Sequence, residues 1–183
     1  MTIDLIKETL NAISHIERIE IRKLSLLLIN KYQQGGKILI CGNGGSSTDA
    51  AHFVGELIGS FNNREAKGLP AIFLTTGEAT GSAIANDYGY DNVFSRQIET
   101  YANPNDILIC LSCSGDSKNI INAIKKAEEI NLNIIFLTSK RCNTKSTNKK
   151  LNIIKIESAY TPAIQQAHMC ILHLFCEYIE EIR

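Results

Sequence analysis

Five short apolar runs recur along the chain of 183 residues, and longer amphipathic stretches separate them. Each run is rich in isoleucine, leucine or phenylalanine, a composition typical of strands buried on both faces of a parallel sheet. Strands that alternate with helices predict right-handed βαβ units and a doubly wound sheet. The predicted strands are Lys37–Cys41, Ala71–Thr75, Asp106–Leu111, Asn133–Thr138 and Leu151–Ile156.

Amphipathic segments between and around these runs predict the helices. A long N-terminal helix is predicted over Asp4–Gln33, ended by Gly35 and Gly36, and another over Pro162–Ile182. Their apolar surface exceeds what one small sheet covers, so we expect an oligomer. The prediction assigns residues 1–34 to a helix for oligomer packing and residues 35–183 to a single α/β domain. The connecting helices are predicted at Thr48–Gly59, Val93–Ala102 and Lys118–Ile130.

Composition and charge exclude several classes of function. The chain is 44% hydrophobic and 21% charged, with 19 basic and 19 acidic side chains, so no basic excess points to nucleic acid. No apolar run approaches the ~20 residues of a membrane span, and no signal core opens the sequence. We expect a cytoplasmic protein whose six cysteines are reduced thiols. Lys140–Lys150 is expected to be a solvated polar loop, with proximity to an anionic ligand as the alternative.

Two loops of similar composition follow the first and third predicted strands. One is Gly42-Asn43-Gly44-Gly45-Ser46-Ser47, and the other is Ser112-Cys113-Ser114-Gly115-Asp116-Ser117. Glycine lets backbone amides approach an anion, a following helix adds free N–H groups, and serine adds neutral donors. Such segments are often simple turns with serine caps. Their repetition at the carboxyl ends of two core strands favours a phosphate monoester site.

Two helices carry side chains capable of acid–base or metal chemistry. His52 and Glu56 lie four residues apart and therefore share one helix face. This spacing suits two metal ligands, an acid and a base, or a surface hydrogen bond. The last helix carries Gln165, His168 and His173 among apolar residues, and spacing alone does not separate core histidines from functional ones.

Four segments combine these loop and helix motifs: GNGGSSTDAAHFVGEL, AIANDYGYDNVFSRQIE, LSCSGDSKNIINAIKKA and IQQAHMCILHLFCEYIE. Together they resemble the phosphoheptose isomerases of the sugar-isomerase (SIS) domain superfamily. The resemblance extends from about Gly35 to the C-terminus and implies a flavodoxin-like, three-layer fold with a doubly wound five-stranded parallel sheet flanked by helices. It also implies a homotetramer with active sites at subunit contacts, and conversion of sedoheptulose 7-phosphate to glycero-manno-heptose 7-phosphate through an enediol.

The resemblance also implies roles for individual residues. The catalytic acid–base pair falls on Glu56 and His173, and one zinc ion per subunit falls on His52, Glu56, Gln165 and His173. The implied substrate contacts are Asn43, Gly44, Gly45, Ser46, Glu56, Asn86, Asp87, Ser112, Cys113, Ser114, Ser117 and Gln165.

The chain departs from the family pattern at four places. Cys113 replaces the threonine of an S-T-S-G loop, Ser60 stands where an arginine is usual, and Pro162 replaces a polar residue. Thr76–Gly81 reads TGEATG in place of T-D-T-S-A-L. These departures affect the expected sugar preference while leaving Glu56 and His173 in place.

Three other functions compete with this interpretation. The first is a non-catalytic SIS-domain protein that binds a protein partner, but such relatives lack the glutamate and the last-helix histidine that Glu56 and His173 supply. The second is a regulatory domain that binds a sugar phosphate. The third is an isomerase of another sugar phosphate, since sugar length is not evident from these residues.

Overall fold

A single five-stranded parallel sheet forms the centre of the molecule, in the order β2-β1-β3-β4-β5. The computed structural model describes residues 3–144 and 147–182. Every predicted apolar run contains a strand, so the predicted fold class is confirmed. The strands are β1 Ile38–Gly42, β2 Ala71–Phe73, β3 Ile107–Leu111, β4 Asn133–Ser139 and β5 Leu151–Ile156.

Helices cover both faces of the sheet. The helices are α1 Leu5–Ser14, α2 Arg18–Gln33, α3 Gly45–Gly59, α4 Glu78–Tyr88, α5 Val93–Tyr101, α6 Lys118–Glu129 and α7 Thr161–Ile182, with a short 3-10 helix at Tyr90–Asn92. Successive strand side chains point to opposite faces. Ile40 and Ile109 therefore pack with α1, α2, α3 and α7, whereas Leu39 and Leu108 pack with α5 and α6 on the other face. The result is the predicted three-layer arrangement.

The central strands are buried on both faces, as predicted, but the edge strands are partly exposed. β1 and β3 are buried along their whole length, but all three residues of β2 are only half-buried. In β5, Lys155 is exposed. Each edge strand pairs with one neighbour only, so the helices cover it less completely.

The predicted single N-terminal helix is wrong, because the chain forms two helices there. Ser14 Oγ donates to the Asn11 carbonyl at 2.8 Å, and His15 Nδ1 lies 2.8 Å from the same oxygen. These side chains satisfy a carbonyl at the end of α1, and polar groups that bond the backbone locally compete with helix continuation. The helix end at Gly35-Gly36 is confirmed, since Gly36 N donates to the Lys31 carbonyl at 2.9 Å.

Two further expectations concern loops and thiols. All six cysteines are free thiols, as predicted. Of the predicted polar loop Lys140–Lys150, residues 145 and 146 lie outside the described part of the chain.

Helix α4 was not predicted from the sequence. Within residues 3–144 and 147–182, no helix has both the length and the apolarity needed to cross a membrane.

Candidate active site

The sheet order places the two predicted phosphate loops side by side. β1 and β3 are neighbours, and Gly42 pairs with Leu111 at their carboxyl ends. From β1 the chain crosses outward to β2, whereas from β3 it continues to β4 on the other side. In open α/β sheets this reversal leaves a crevice in which ligands bind.

The second loop gathers three serine hydroxyls around one point. Ser112 Oγ lies 3.5 Å from both Ser114 Oγ and Ser117 Oγ, and Gly115 N donates to Ser112 Oγ at 3.1 Å. Gly115 has a φ of +78°, a conformation that glycine adopts without strain. Hydroxyls that converge in this way can donate together to a phosphoryl group.

The first loop is fixed by a pair of amide side chains. Asn43 Nδ2 donates to Asn119 Oδ1 at 2.8 Å, and Asn119 Nδ2 donates back to Asn43 Oδ1 at 2.9 Å. Tyr90 Oη also donates to Asn43 Oδ1, at 3.1 Å. The contacts hold Asn43 between α6 and the Tyr90–Asn92 turn, at the mouth of the crevice.

A cavity of about 320 Å³ lies between the two loops and the start of α7. The amino-terminal ends of α3, α6 and α7 all reach it, and helix amino termini favour anions. Burial raises the pKa of the Cys113 thiol, whose Sγ lies 3.9 Å from Ser46 Oγ. The lining residues are Asn43, Ser46, Leu111, Ser112, Cys113, Ser114, Ser117, Arg141, Thr161 and Gln165.

Arg141 is a cavity residue that was not among the predicted site residues. Its Nη2 donates to the Cys113 carbonyl at 3.2 Å and to Thr161 Oγ1 at 3.1 Å. Arg141 belongs to the basic segment Lys140–Lys150 after the fourth strand. Sequence analysis favours a solvated loop for this segment and gives proximity to an anionic ligand as the alternative. The carboxyl edge of β4 brings Arg141 to the crevice.

Three of the predicted chemical residues meet where α3 packs against α7. His52 Nε2 lies 2.9 Å from Glu56 Oε1 and 3.5 Å from His173 Nε2. The ligand atoms of all three side chains lie within 4.8 Å of one another. Helical spacing placed His52 and Glu56 together, whereas the contact with His173 depends on the packing of two helices distant in sequence.

Aromatic contacts fix the third member of this cluster. Phe61 stacks on the His173 ring with centroids 5.5 Å apart, and Phe53 packs near Phe175 with centroids 6.4 Å apart. Phe53 and Phe175 are buried and lock α3 against α7. The cluster itself remains accessible, because the side chain of His52 is 45% exposed and that of Glu56 is 28% exposed.

The cluster fits a zinc ion. Zinc–nitrogen bonds measure about 2.0–2.1 Å, so two imidazole ligands of a tetrahedral ion lie about 3.4 Å apart. The observed separation of 3.5 Å between His52 Nε2 and His173 Nε2 agrees with that value. A glutamate carboxylate and two imidazoles are also a common donor set for catalytic zinc.

Gln165, the fourth predicted ligand, lies against the first phosphate loop. A Cβ atom added at Gly45 would overlap Gln165 Nε2, so the side-chain amide depends on a glycine at that position. Gln165 also lines the cavity. It precedes His173 by eight residues, about 12 Å along the α7 axis. One face of α7 therefore connects the cavity with the cluster of His52, Glu56 and His173.

The two histidines of α7 have different environments. His168 is fully buried, and its Nε2 donates to the Thr138 carbonyl at 3.1 Å. Burial lowers its pKa to about 4, so the ring is neutral at physiological pH. His168 is thus a core residue, whereas His173 lies in the cluster with His52 and Glu56, a distinction that spacing in the sequence had left open.

Two predicted substrate contacts lie apart from the cavity within one subunit. Asn86 and Asp87 are exposed on α4, where Asn86 Nδ2 donates to Asp87 Oδ1 at 2.8 Å, and neither lines the cavity. Ser60, which replaces an arginine of the family pattern, donates its hydroxyl to the Ala66 carbonyl at 2.7 Å.

Asp49 is another polar residue near the site that sequence reasoning missed. It precedes His52 by three residues on α3, and its Oδ2 is buried without a hydrogen-bond partner among the described residues. Burial raises the pKa of this carboxyl to about 6, although the charge of His52 acts in the opposite direction. No pattern in the sequence distinguishes Asp49 from aspartates on a solvated helix face.

Comparisons with known proteins agree with this geometry. Residues 3–139 match the family model of the SIS domain. The chain is 44% identical over 168 residues to the phosphoheptose isomerase of Campylobacter jejuni subsp. jejuni serotype O:6, a match that covers 92% of this chain and 89% of that relative. It is 40% identical over 174 residues to the phosphoheptose isomerase of Aliarcobacter butzleri, covering 95% and 91% of the two chains.

A solved structure gives the same result for the fold. The structure of a phosphoheptose isomerase from Francisella tularensis superimposes with a TM-score of 0.89 and 31% sequence identity. The match covers 96% of this chain and 92% of that one.

Proposed function

This chain belongs to the phosphoheptose isomerase family of SIS-domain proteins, and from that membership we propose that it interconverts D-sedoheptulose 7-phosphate and D-glycero-D-manno-heptose 7-phosphate. The observation that carries the proposal is the meeting of His52, Glu56 and His173, which one face of α7 connects to a cavity lined by hydroxyl and amide donors and by Arg141. A domain that only binds a sugar phosphate needs the cavity alone, whereas an isomerase also needs an acid and a base.

The distance between the two parts of the site suits a long sugar phosphate. His52 lies six residues beyond Ser46 on α3, about 9 Å along the helix axis. A substrate held by its phosphate among the serine hydroxyls would extend its other end along α3 and α7 towards Glu56. The phosphate of a 7-phosphoheptose and its reacting carbons C1 and C2 are at opposite ends of the molecule.

The proposed mechanism divides the chemistry between two side chains. Glu56 removes a proton from C1 of the ketose to form an enediol, and after exchange with solvent it delivers a proton to C2. His173, held by the stacked Phe61 ring, moves the proton between the oxygens on those carbons. Glu56 and His173 are both partly exposed, which leaves them open to a sugar held in the cavity.

We propose one zinc ion per subunit, held by His52, Glu56, Gln165 and His173. When bound, zinc would polarise the carbonyl and hydroxyl oxygens of the substrate. The distances among His52, Glu56 and His173 support the binding of one metal ion by two imidazole nitrogens and one carboxylate oxygen. Gln165, through its place beside Gly45, would tie the metal site to the phosphate site.

The proposed phosphate contacts come from both loops. Backbone amides of Gly44 and Gly45 and the hydroxyl of Ser46 lie at the start of α3, and the Ser112, Ser114 and Ser117 hydroxyls lie opposite. Asn43, Cys113 and Gln165 also line the cavity and are proposed substrate contacts. Asn86 and Asp87 stay predicted contacts, to be supplied at a subunit interface as the family resemblance implies.

We propose that the chain assembles as a homotetramer through its N-terminal helices. Several large apolar side chains of this region face solvent in one subunit, including Ile6 at 73%, Leu10 at 64% and Ile19 at 85% exposure. Exposed apolar patches of this kind commonly mark protein–protein contacts. The assignment of residues 1–34 to oligomer packing, and the cytoplasmic location, remain predictions.

The experiment that tests the proposed function is incubation of the purified protein with sedoheptulose 7-phosphate. We expect formation of the aldose phosphate, its loss after chelation, and its recovery when zinc is restored. Absence of conversion with zinc, manganese or cobalt would contradict the proposal and favour a binding protein. Conversion of a shorter ketose phosphate alone would assign a different substrate to the same site.

A further inference from the structure

We infer that Arg141 is a substrate-binding residue that supplies the positive charge of the phosphate site. The inference rests on the proposed function and adds to it a contact that the family pattern does not include. Among the described residues that line the cavity, Arg141 carries the one formal charge; the others are neutral donors or apolar groups. A phosphate monoester carries a charge of about −1.5 to −2 at neutral pH.

Short contacts hold the guanidinium at the cavity wall. Arg141 Nη2 donates both to the Cys113 carbonyl and to Thr161 Oγ1, at 3.2 and 3.1 Å. Ser139 Oγ donates to the same Cys113 carbonyl at 2.7 Å and accepts from Arg141 N at 3.3 Å, which ties the backbone to the loop. Both side-chain bonds use Nη2, while a guanidinium has five N–H donors on three nitrogens. Within residues 3–144 and 147–182, Nη1 and Nε make no hydrogen bond, so both can donate to an anion in the cavity.

The second loop gives a chemical reason for this charge. Cys113 occupies a position where the family pattern has a threonine, so a weak thiol donor replaces a hydroxyl. The Cys113 thiol is kept neutral by burial, which raises its pKa. Arg141 lines the cavity beside this loop and supplies a charged donor where the hydroxyl of the family threonine is missing.

The position of Arg141 also predicts which kinetic constant it controls. It contacts the loop after β3 and the first residue of α7, at the phosphate end of the site. The phosphate does not react, so its contacts stabilise the ground state and the transition state alike. Loss of Arg141 is therefore expected to raise KM and to leave kcat nearly unchanged.

The test compares Arg141→Gln and Arg141→Lys with the wild type in two assays. Calorimetry measures the Kd of inorganic phosphate, and steady-state kinetics measure kcat and KM with sedoheptulose 7-phosphate. We expect Arg141→Gln to raise both Kd and KM about 10- to 100-fold, as for loss of a charged hydrogen bond. Lysine keeps the charge without the forked donor, so Arg141→Lys is expected to fall between the two. Raising the salt concentration should weaken phosphate binding more in the wild type than in Arg141→Gln.

Lys140→Gln provides the matched control. It removes the same charge from the adjacent exposed residue, which does not line the cavity, and is expected to change the Kd of phosphate less than twofold. Equal phosphate affinity in Arg141→Gln and the wild type, including absence of binding by both, would overturn the inference. So would a fall in kcat at unchanged KM, the result expected if Arg141 only braces the loop against α7. Failure of the wild type to isomerise the sugar would refute the proposed function. The Kd of inorganic phosphate would still test whether Arg141 contributes to phosphate binding.

Discussion

At the residue scale, the candidate site depends on which side chains are buried and which remain accessible. His168 and His173 differ by five positions on one helix, yet one faces the sheet and the other faces His52. The buried ring of His168 is neutral because protonation in the core would leave a charge without solvation. This difference leads to a prediction about pH.

We predict that His168 makes stability fall on acidification. Its pKa is lowered from 6.5 to about 4 in the folded state, so the unfolded chain binds a proton that the folded chain does not. The contribution of His168 to the free energy of unfolding is therefore fully present above pH 6.5. It declines as the pH falls towards 4, by at most about 1.4 kcal/mol per pH unit. Urea unfolding of the chelated protein across this range measures the slope.

His168→Gln should reduce that slope, whatever its effect on absolute stability. His15→Gln is the matched control, because His15 is exposed at the end of α1 and its replacement should leave the slope in place. An unchanged slope in His168→Gln would show that other groups cause the acid sensitivity.

Individual residues also show where sequence reasoning reaches its limit. His52 and Glu56 could be paired from the sequence because a four-residue spacing fixes their relation on a helix. The choice between His168 and His173 required knowledge of how α7 sits on the sheet. Arg141 was missed because a basic segment after a strand has no periodicity, and only the fold shows that it ends at the crevice.

At the scale of elements, the site is built where the starts of α3 and α7 meet. The close approach of Gly45 to Gln165 joins the first phosphate loop to α7. The strands that support this arrangement were predictable, because short continuous apolar runs are typical of strands buried on both faces of a parallel sheet. Helix α4 was not predictable in the same way, since its sequence EATGSAIANDY contains a glycine and lacks a continuous apolar stripe.

We predict that Gly45→Ala damages the site without unfolding the protein. The new methyl group would overlap the amide of Gln165 and displace a proposed zinc ligand. Zinc content per subunit should fall, and kcat with sedoheptulose 7-phosphate should fall about 10-fold or more, in line with loss of a positioned polar group. Metal analysis and steady-state kinetics measure the two effects.

Gly55→Ala is the control for that substitution. Gly55 lies within the same helix, and an added Cβ there meets open space within one subunit. Alanine is the better helix former, so this variant should gain about 0.5–1 kcal/mol of stability and keep its zinc. Normal zinc content in Gly45→Ala would contradict the proposed link between α3 and α7.

At the scale of the whole molecule, the N-terminal helices leave apolar side chains in contact with solvent. The break between α1 and α2 turns part of the predicted helical surface outward, and Ile6 and Leu10 lie on α1 with most of their surface exposed. Within one subunit these side chains do not pack into the core. Their exposure is accounted for if they are covered by other copies of the chain.

We predict that the double substitution Ile6→Ser and Leu10→Ser weakens the proposed tetramer. Removing two large apolar side chains from an interface should raise the dissociation constant of assembly by at least about 10-fold. Analytical ultracentrifugation across a concentration series measures this shift. Lys7→Ser, an exposed polar position on the same helix, should leave assembly unchanged. Identical sedimentation of the double variant and the wild type would exclude α1 from the interface.

Helices α3 and α7 are proposed to bring Glu56 to the carbons of a sugar whose phosphate lies in the serine-lined cavity. The most direct measurement is isomerisation of sedoheptulose 7-phosphate in ²H₂O, followed by NMR of the hydrogen at C2 of the aldose phosphate. We expect deuterium at C2 with the wild type, because the Glu56 carboxyl exchanges its proton with solvent while the enediol is bound, and neither product nor deuterium exchange with a folded Glu56→Gln variant. Undiminished conversion with deuterium at C2 in Glu56→Gln would contradict this role of Glu56.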